Sequence, residues 1–114
     1  MDTPNEEIQR KLEALKRAYV DTLAKRLVEL EAGMARLRTG TPLAEQKDGV
    51  RAVLEQAHKI AGSAGTFGYR QVSVIASETE LLCDSILKGT HGADAPAHTD
   101  LTAKVAAIRA EAAR

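Results

Sequence analysis

His58 is the residue of this sequence whose type and setting best suit chemistry. On a helical wheel of about 100° per residue with Leu54 at zero, Val50, Val53, Ala57, Ile60 and Ala61 fall between about 240° and 340°. That places the buried direction near 300° and His58 near 40°, roughly a right angle away, on a flank that still reaches solvent. Gly62 follows one turn later near 80° and Gly65 two turns later near 20°, while Arg51 lies at about 60° and Glu55 at about 100°. A glycine inside a helix costs roughly 1 kcal/mol relative to alanine, so Gly62 needs a reason. Steric clearance supplies one: a bulky group approaching His58 from that side meets only backbone. A neutral imidazole is a nucleophile, and a tetrahedral phosphoryl group delivered by another protein needs such clearance. The plain alternative is a solvated histidine, with Gly62 serving helix packing.

The elements that must position His58 all read as helices. Ile8, Leu12, Leu15, Tyr19, Leu23, Leu27, Leu30, Met34 and Leu37 recur at intervals of three and four, one apolar stripe assigned here to the core rather than to a coiled coil. Thr3 as N-cap, Pro4 at the first helical position and Glu6 closing a capping box start this helix. It is either one long helix or two collinear ones bending near Tyr19. Gly33 does not break the phase, and Thr39-Gly40-Thr41-Pro42 ends the helix, with Thr41 capping the next. A second helix is expected over about 42–64, carrying Val50, Val53, Leu54, Ala57, Ile60, Ala61 and Ala64. Gly65-Thr66-Phe67-Gly68 breaks it. A third, over about 69–88, carries Val72, Ile75, Ala76, Thr79, Leu82, Cys83 and Ile86. After a loop at 89–95, a last helix from about 96 buries Leu101, Val105, Ile108 and Ala112. Short loops between amphipathic helices predict an all-α, antiparallel, up-and-down four-helix bundle forming a single domain over 1–114.

Composition narrows the function. With 114 residues and 16 basic against 16 acidic side chains, there is no basic field to gather phosphate backbones, so nucleic acid is not an expected partner. Cys83 is the one cysteine and cannot form an internal disulfide. His91, His98 and Cys83 match no metal-site spacing, and no metal is expected. No apolar run approaches the roughly 20 residues of a membrane span, and the acidic, polar start is unlike a secretory signal; a cytoplasmic protein is expected. Tyr19, Phe67 and Tyr69 are the only aromatics, too few to wall a deep pocket or stack bases. Glu55 and Glu80 read as solvated helix-surface carboxylates. No phosphate-binding loop, nucleophile elbow or zinc-peptidase motif occurs.

The run His58-Lys59-Ile60-Ala61-Gly62-Ser63-Ala64-Gly65-Thr66-Phe67-Gly68 resembles the signature of histidine-containing phosphotransfer (HPt) domains. Ile60, Gly62, Ser63, Ala64 and Gly68 fit that pattern, and Ala76 and Glu80 match the family's small residue followed by an acidic or amide residue on the next helix. The resemblance implies a helical bundle in which His58 accepts phosphate from a receiver-domain aspartate and passes it to another receiver. It implies a phosphate carrier without kinase activity of its own, no cofactor of its own, and Mg²⁺ on the receiver only. Gly62 would give access and Ser63 would cap or hydrogen-bond nearby. The family's usual lysine three residues after the histidine is Ala61 here, leaving Lys59, Arg51 or Arg70 to offset the phosphate charge. An apolar patch for the receiver is expected around His58, with Ala18 and Thr22 as candidates, and the chain is expected to be monomeric. The main rival is a helical adaptor or dimerisation module in which His58 is incidental. A histidine-kinase dimerisation domain fits poorly, because Lys59 rather than an acidic residue follows the histidine and the next proline is Pro96.

Overall fold

The computed structural model describes residues 3–37, 43–89 and 95–114, without the side chains of residues 43 and 95–98. The Thr41 cap, the body of the loop before the last helix, and His91 lie outside the described residues. Four α-helices are present among them: α1 (Pro4–Ala35), α2 (Leu43–Ser63), α3 (Arg70–Lys88) and α4 (Ala95–Ala112), with one 3₁₀ turn at Ala64–Phe67 between α2 and α3. Pairings across the helices run in opposite chain directions. Tyr19 meets Ser63 while Gly33 meets Gly49 and Val53, so α1 and α2 are antiparallel. Ser73 meets Ala61 and Glu80 meets His58, while Tyr69 at the start of α3 shares a groove with Arg109 and Ala112 and Glu78 meets Lys104, which makes α3 antiparallel to both of its neighbours.

The helices bury the stripes expected of them over most of their length. Leu23, Leu27 and Leu30 of α1 join Val50, Val53, Ala57 and Ile60 of α2, Val72, Ala76, Cys83 and Ile86 of α3, and Leu101, Val105 and Ile108 of α4. Thr79 is the buried polar member, and its hydroxyl donates to the Ile75 carbonyl one turn back at 2.8 Å. At one end α1 and α2 touch backbone to backbone. A Cβ on Gly33 would stand 2.9 Å from Val53 Cγ2, and one on Gly49 2.8 Å from the Gly33 carbonyl oxygen. Gly33 therefore answers to close packing rather than being merely tolerated.

Of the two readings of the first helix, the structure has the single one: a continuous helix of 32 residues, started by Pro4 and by the Thr3 hydroxyl accepting from the Glu6 N–H. It departs from expectation in that its first four turns are not core. Residues 3–18 are all exposed, and Ile8, Leu12 and Leu15 remain 55%, 47% and 54% accessible. The reason is length: α2, α3 and α4 have 21, 19 and 18 residues, and none extends beside the start of α1. The stripe keeps its phase past the end of the bundle, and the molecule measures 63 × 21 × 21 Å.

The bundle is closed where α1 leaves it. Tyr19 stacks on Phe67 of the 3₁₀ turn, with centroids 4.4 Å apart, and Tyr69 leans against the pair. Gly68 ends the turn at φ 93°, a left-handed conformation that suits glycine, and its N–H bonds to the Gly65 carbonyl. This turn sets where α3 starts, and therefore which residue of α3 faces His58.

Candidate functional site

His58 and Glu80 flank the α2–α3 seam in the same way. Each follows a buried seam residue, Ala57 and Thr79, so each leans out of the same groove. The register is pinned nearby, where the Ser73 hydroxyl donates to the Ala61 carbonyl at 2.7 Å. The result is a contact of 2.6 Å between His58 Nδ1 and Glu80 Oε2. An ionised carboxylate can only accept, so Nδ1 carries the hydrogen, and in the neutral imidazole Nε2 keeps its lone pair. The His58 side chain is 74% exposed and that of Glu80 31%. One ring nitrogen is thus held and the other faces solvent. Glu80 was expected to be a solvated surface carboxylate; the structure corrects this, since α3 docks at a register that brings it onto the imidazole.

The surroundings of His58 form an open groove lined by Arg51, Leu54, Glu55, Lys59, Ser77, Leu81 and Asp84 as well as the pair itself. A Cβ on Gly62 would meet nothing within 4 Å, so the approach over that position is clear. Ser63 points the other way. Its hydroxyl donates to the Lys59 carbonyl at 2.8 Å and accepts from Arg26 Nη1 at 2.9 Å, leaving the Tyr19 hydroxyl, 2.8 Å away, to donate to it. Ser63 ties the last turn of α2 to α1 and does not reach His58. Lys59 bonds Glu55 at 3.2 Å and Arg51 bonds Asp48 at 3.0 Å. Both line the groove with their charges turned to carboxylates, while Arg70 lies outside it. The apolar surface beside His58 is Leu54 with Leu81, the latter 69% exposed. Of the expected patch residues, Thr22 lines a separate groove between α1 and α2 and Ala18 stands on the projecting start of α1, so neither lines the groove that holds His58.

The helical bundle agrees with what comparison of the sequence finds. The family model described as the Hpt domain matches residues 6–111. The chain belongs to the Hpt family. No curated protein and no solved structure matches it. Hpt domains are phosphocarrier modules of two-component signalling, and they are helical bundles like this one.

The other chemistry-bearing groups of this Hpt domain are quiet. Cys83 is buried, and desolvation pushes its thiol up to about 12 despite an opposing backbone hydrogen bond. A thiol so protonated is a poor nucleophile and metal ligand. No group of three or more His, Cys, Asp or Glu that could hold a metal ion occurs among the described residues, and no described helix is long and apolar enough to cross a membrane. Sequence reasoning missed Glu80 as a partner. The usable signal was its place one step beyond the buried Thr79, mirroring His58 beside Ala57.

Proposed function

We propose that this Hpt domain is a histidine phosphotransfer protein of a phosphorelay, accepting a phosphoryl group on His58 Nε2 from a receiver-domain aspartate and passing it to another receiver. The observation that supports this most is the His58–Glu80 pair, bonded at Nδ1 and open at Nε2. In the forward step the Nε2 lone pair attacks the phosphorus of an aspartyl phosphate. The P–N bond forms as the P–O bond to the aspartate breaks, and the aspartate leaves as a carboxylate. The imidazole keeps its Nδ1 hydrogen and becomes a phosphoimidazolium, whose positive charge develops against the Glu80 carboxylate. The return step reverses each of these changes. Mg²⁺ bound by the receiver would neutralise the moving phosphoryl oxygens.

Gly62 gives the phosphoryl group room, and Arg51 and Lys59 are the cations close enough to exchange their present carboxylate partners for it. The adaptor reading has one observation in its favour, the exposed Ile8, Leu12 and Leu15 of α1, but it gives no reason for an exposed histidine held by a carboxylate. The deciding experiment is transfer from a panel of phosphorylated receiver domains to the wild type and to His58→Gln. The expected result is an acid-labile, base-stable label on the wild type and none on the variant, with melting unchanged. A variant that labels like the wild type sinks the assignment.

A further inference from the structure

The two grooves beside α2 differ in charge. On the α3 side, each carboxylate of the groove holding His58 has a partner, Glu55 with Lys59, Glu80 with His58 and Asp84 with Lys88, and Arg51 bonds Asp48. On the α1 side, the groove is lined by Thr22, Lys25, Arg26, Glu29, Gln56 and Lys59, so that with Lys59 bonded to Glu55 two further cations face one carboxylate. Arg26 spends its hydrogen bonds on neutral acceptors, the Ser63 hydroxyl and the Lys59 carbonyl at 3.4 Å, so no carboxylate cancels its charge. Lys25 is exposed and no ion pair involves it among the described residues. Gly62, Glu55 and Lys59 lie on the solvent ridge between the grooves, by their wheel positions.

We propose that the α1–α2 groove is a docking surface for the acidic rim of the partner's phospho-acceptor site, and that it orients the partner over His58. This rests on the phosphotransfer reading. Specific interfaces cover about 800 Å² on each side, which corresponds to a disc of roughly 16 Å radius. A helix is only about 10 Å across, so a partner seated on Nε2 necessarily overlies both grooves of α2. An acceptor that is itself a carboxylate and holds Mg²⁺ needs further oxygen ligands, chiefly carboxylates, so its mouth is acidic. That mouth finds only paired charges in the α2–α3 groove and is attracted by the α1–α2 groove, which favours one of two opposed docking directions. Charge placed this way acts mainly on association rate and weakens with salt.

The test uses Lys25→Glu and Glu29→Lys, exposed positions that touch neither His58 nor Glu80. A receiver domain that labels the wild type serves as donor, at about 50 mM and about 500 mM salt. At low salt Lys25→Glu is expected to slow transfer about five- to tenfold and Glu29→Lys to speed it, with all three proteins converging at high salt. Labelling by phosphoramidate, which needs no docking, stays within about twofold of wild type. Wild-type rates for Lys25→Glu at low salt, or a loss that persists unchanged at high salt, overturn the proposal. Phosphoramidate labelling of His58→Gln at the wild-type level would instead overturn the phosphotransfer reading beneath it.

Discussion

Glu80→Ala separates an accidental ion pair from a positioning contact. In the wild type the His58–Glu80 bond spans 2.6 Å between side chains 74% and 31% exposed. A hydrogen bond to a charged group contributes roughly 1.5–3 kcal/mol, and exposure of this degree discounts it towards about 1 kcal/mol in the resting protein. Resting stability should therefore fall by no more than about 1 kcal/mol. The transition state differs, because the ring gains positive charge as Nε2 bonds to phosphorus, and docking displaces water from the groove. A contribution of about 1.5–2.5 kcal/mol there corresponds to a roughly 10- to 70-fold slower transfer in Glu80→Ala. Glu80→Gln, which can still accept from Nδ1–H but carries no charge, should fall between the two. Rapid-quench transfer from a phosphorylated receiver reads the rate. Nitrogen chemical shifts of the His58 ring read the tautomer, expected to be Nδ1–H in the wild type and mixed in Glu80→Ala. A merely structural role would move neither in a folded protein. Wild-type transfer by Glu80→Ala, or an unchanged tautomer, would refute the reasoning.

Other positions give sharper contrasts between stability and function. Gly62→Ala should stabilise by about 0.5–1 kcal/mol, since its Cβ meets nothing within 4 Å, whereas Gly62→Gln should slow phosphotransfer sharply while melting no lower than wild type. Leu12→Ala should cost less than about 0.5 kcal/mol and Leu30→Ala about 2–5 kcal/mol in chemical denaturation, because the first is about half exposed and the second fully buried. Cys83 should resist alkylation in the native protein at pH 8. Its thiol is raised from 9.0 to about 12, so the folded state holds the proton longer than the unfolded one; its contribution is complete below pH 9 and fades as pH rises towards 12. Cys83→Ala should lose correspondingly less stability over that window than the wild type does.

Much of this was legible from residue types and spacing. The stripes on α2, α3 and α4 name the core because these helices pack against one another, with Leu54, Ala61, Ile75, Leu82 and Ala112 half-buried at its margin. The α1 stripe misleads for a physical reason: periodicity reports which face is apolar, not whether a neighbour is long enough to cover it. Ile8, Leu12 and Leu15 are in phase with Leu23 and Leu30 and yet lie beyond the reach of 18- to 21-residue partners. His58 could be placed on an open flank from its own helix alone. The Glu80 contact depends on the α2–α3 register, which is set by the 3₁₀ turn and the Ser73–Ala61 bond, neither of which leaves a periodic trace. Gly33 and Gly49 are similar, since two glycines 16 positions apart reveal a close approach only once the helices are paired.

The same features explain why this site needs no pocket. A phosphate carrier must give its group away as readily as it takes it, so burying the acceptor would add desolvation to both steps. This bundle instead fixes one nitrogen of an exposed ring through Glu80 and clears the space beside it with Gly62. Its aromatics are spent elsewhere, with Tyr19, Phe67 and Tyr69 closing the end of the bundle and setting the turn that aligns α3. Ser63 and Arg26 lock the last turn of α2 onto α1, so the helix carrying His58 is held from both sides. Under the proposed function the division of labour follows. This chain provides a positioned nucleophile and a charged surface, and the partner brings the metal and the water-excluding walls. Selectivity then belongs to the surfaces flanking α2, where a single charge reversal can alter the choice of partner without touching the histidine.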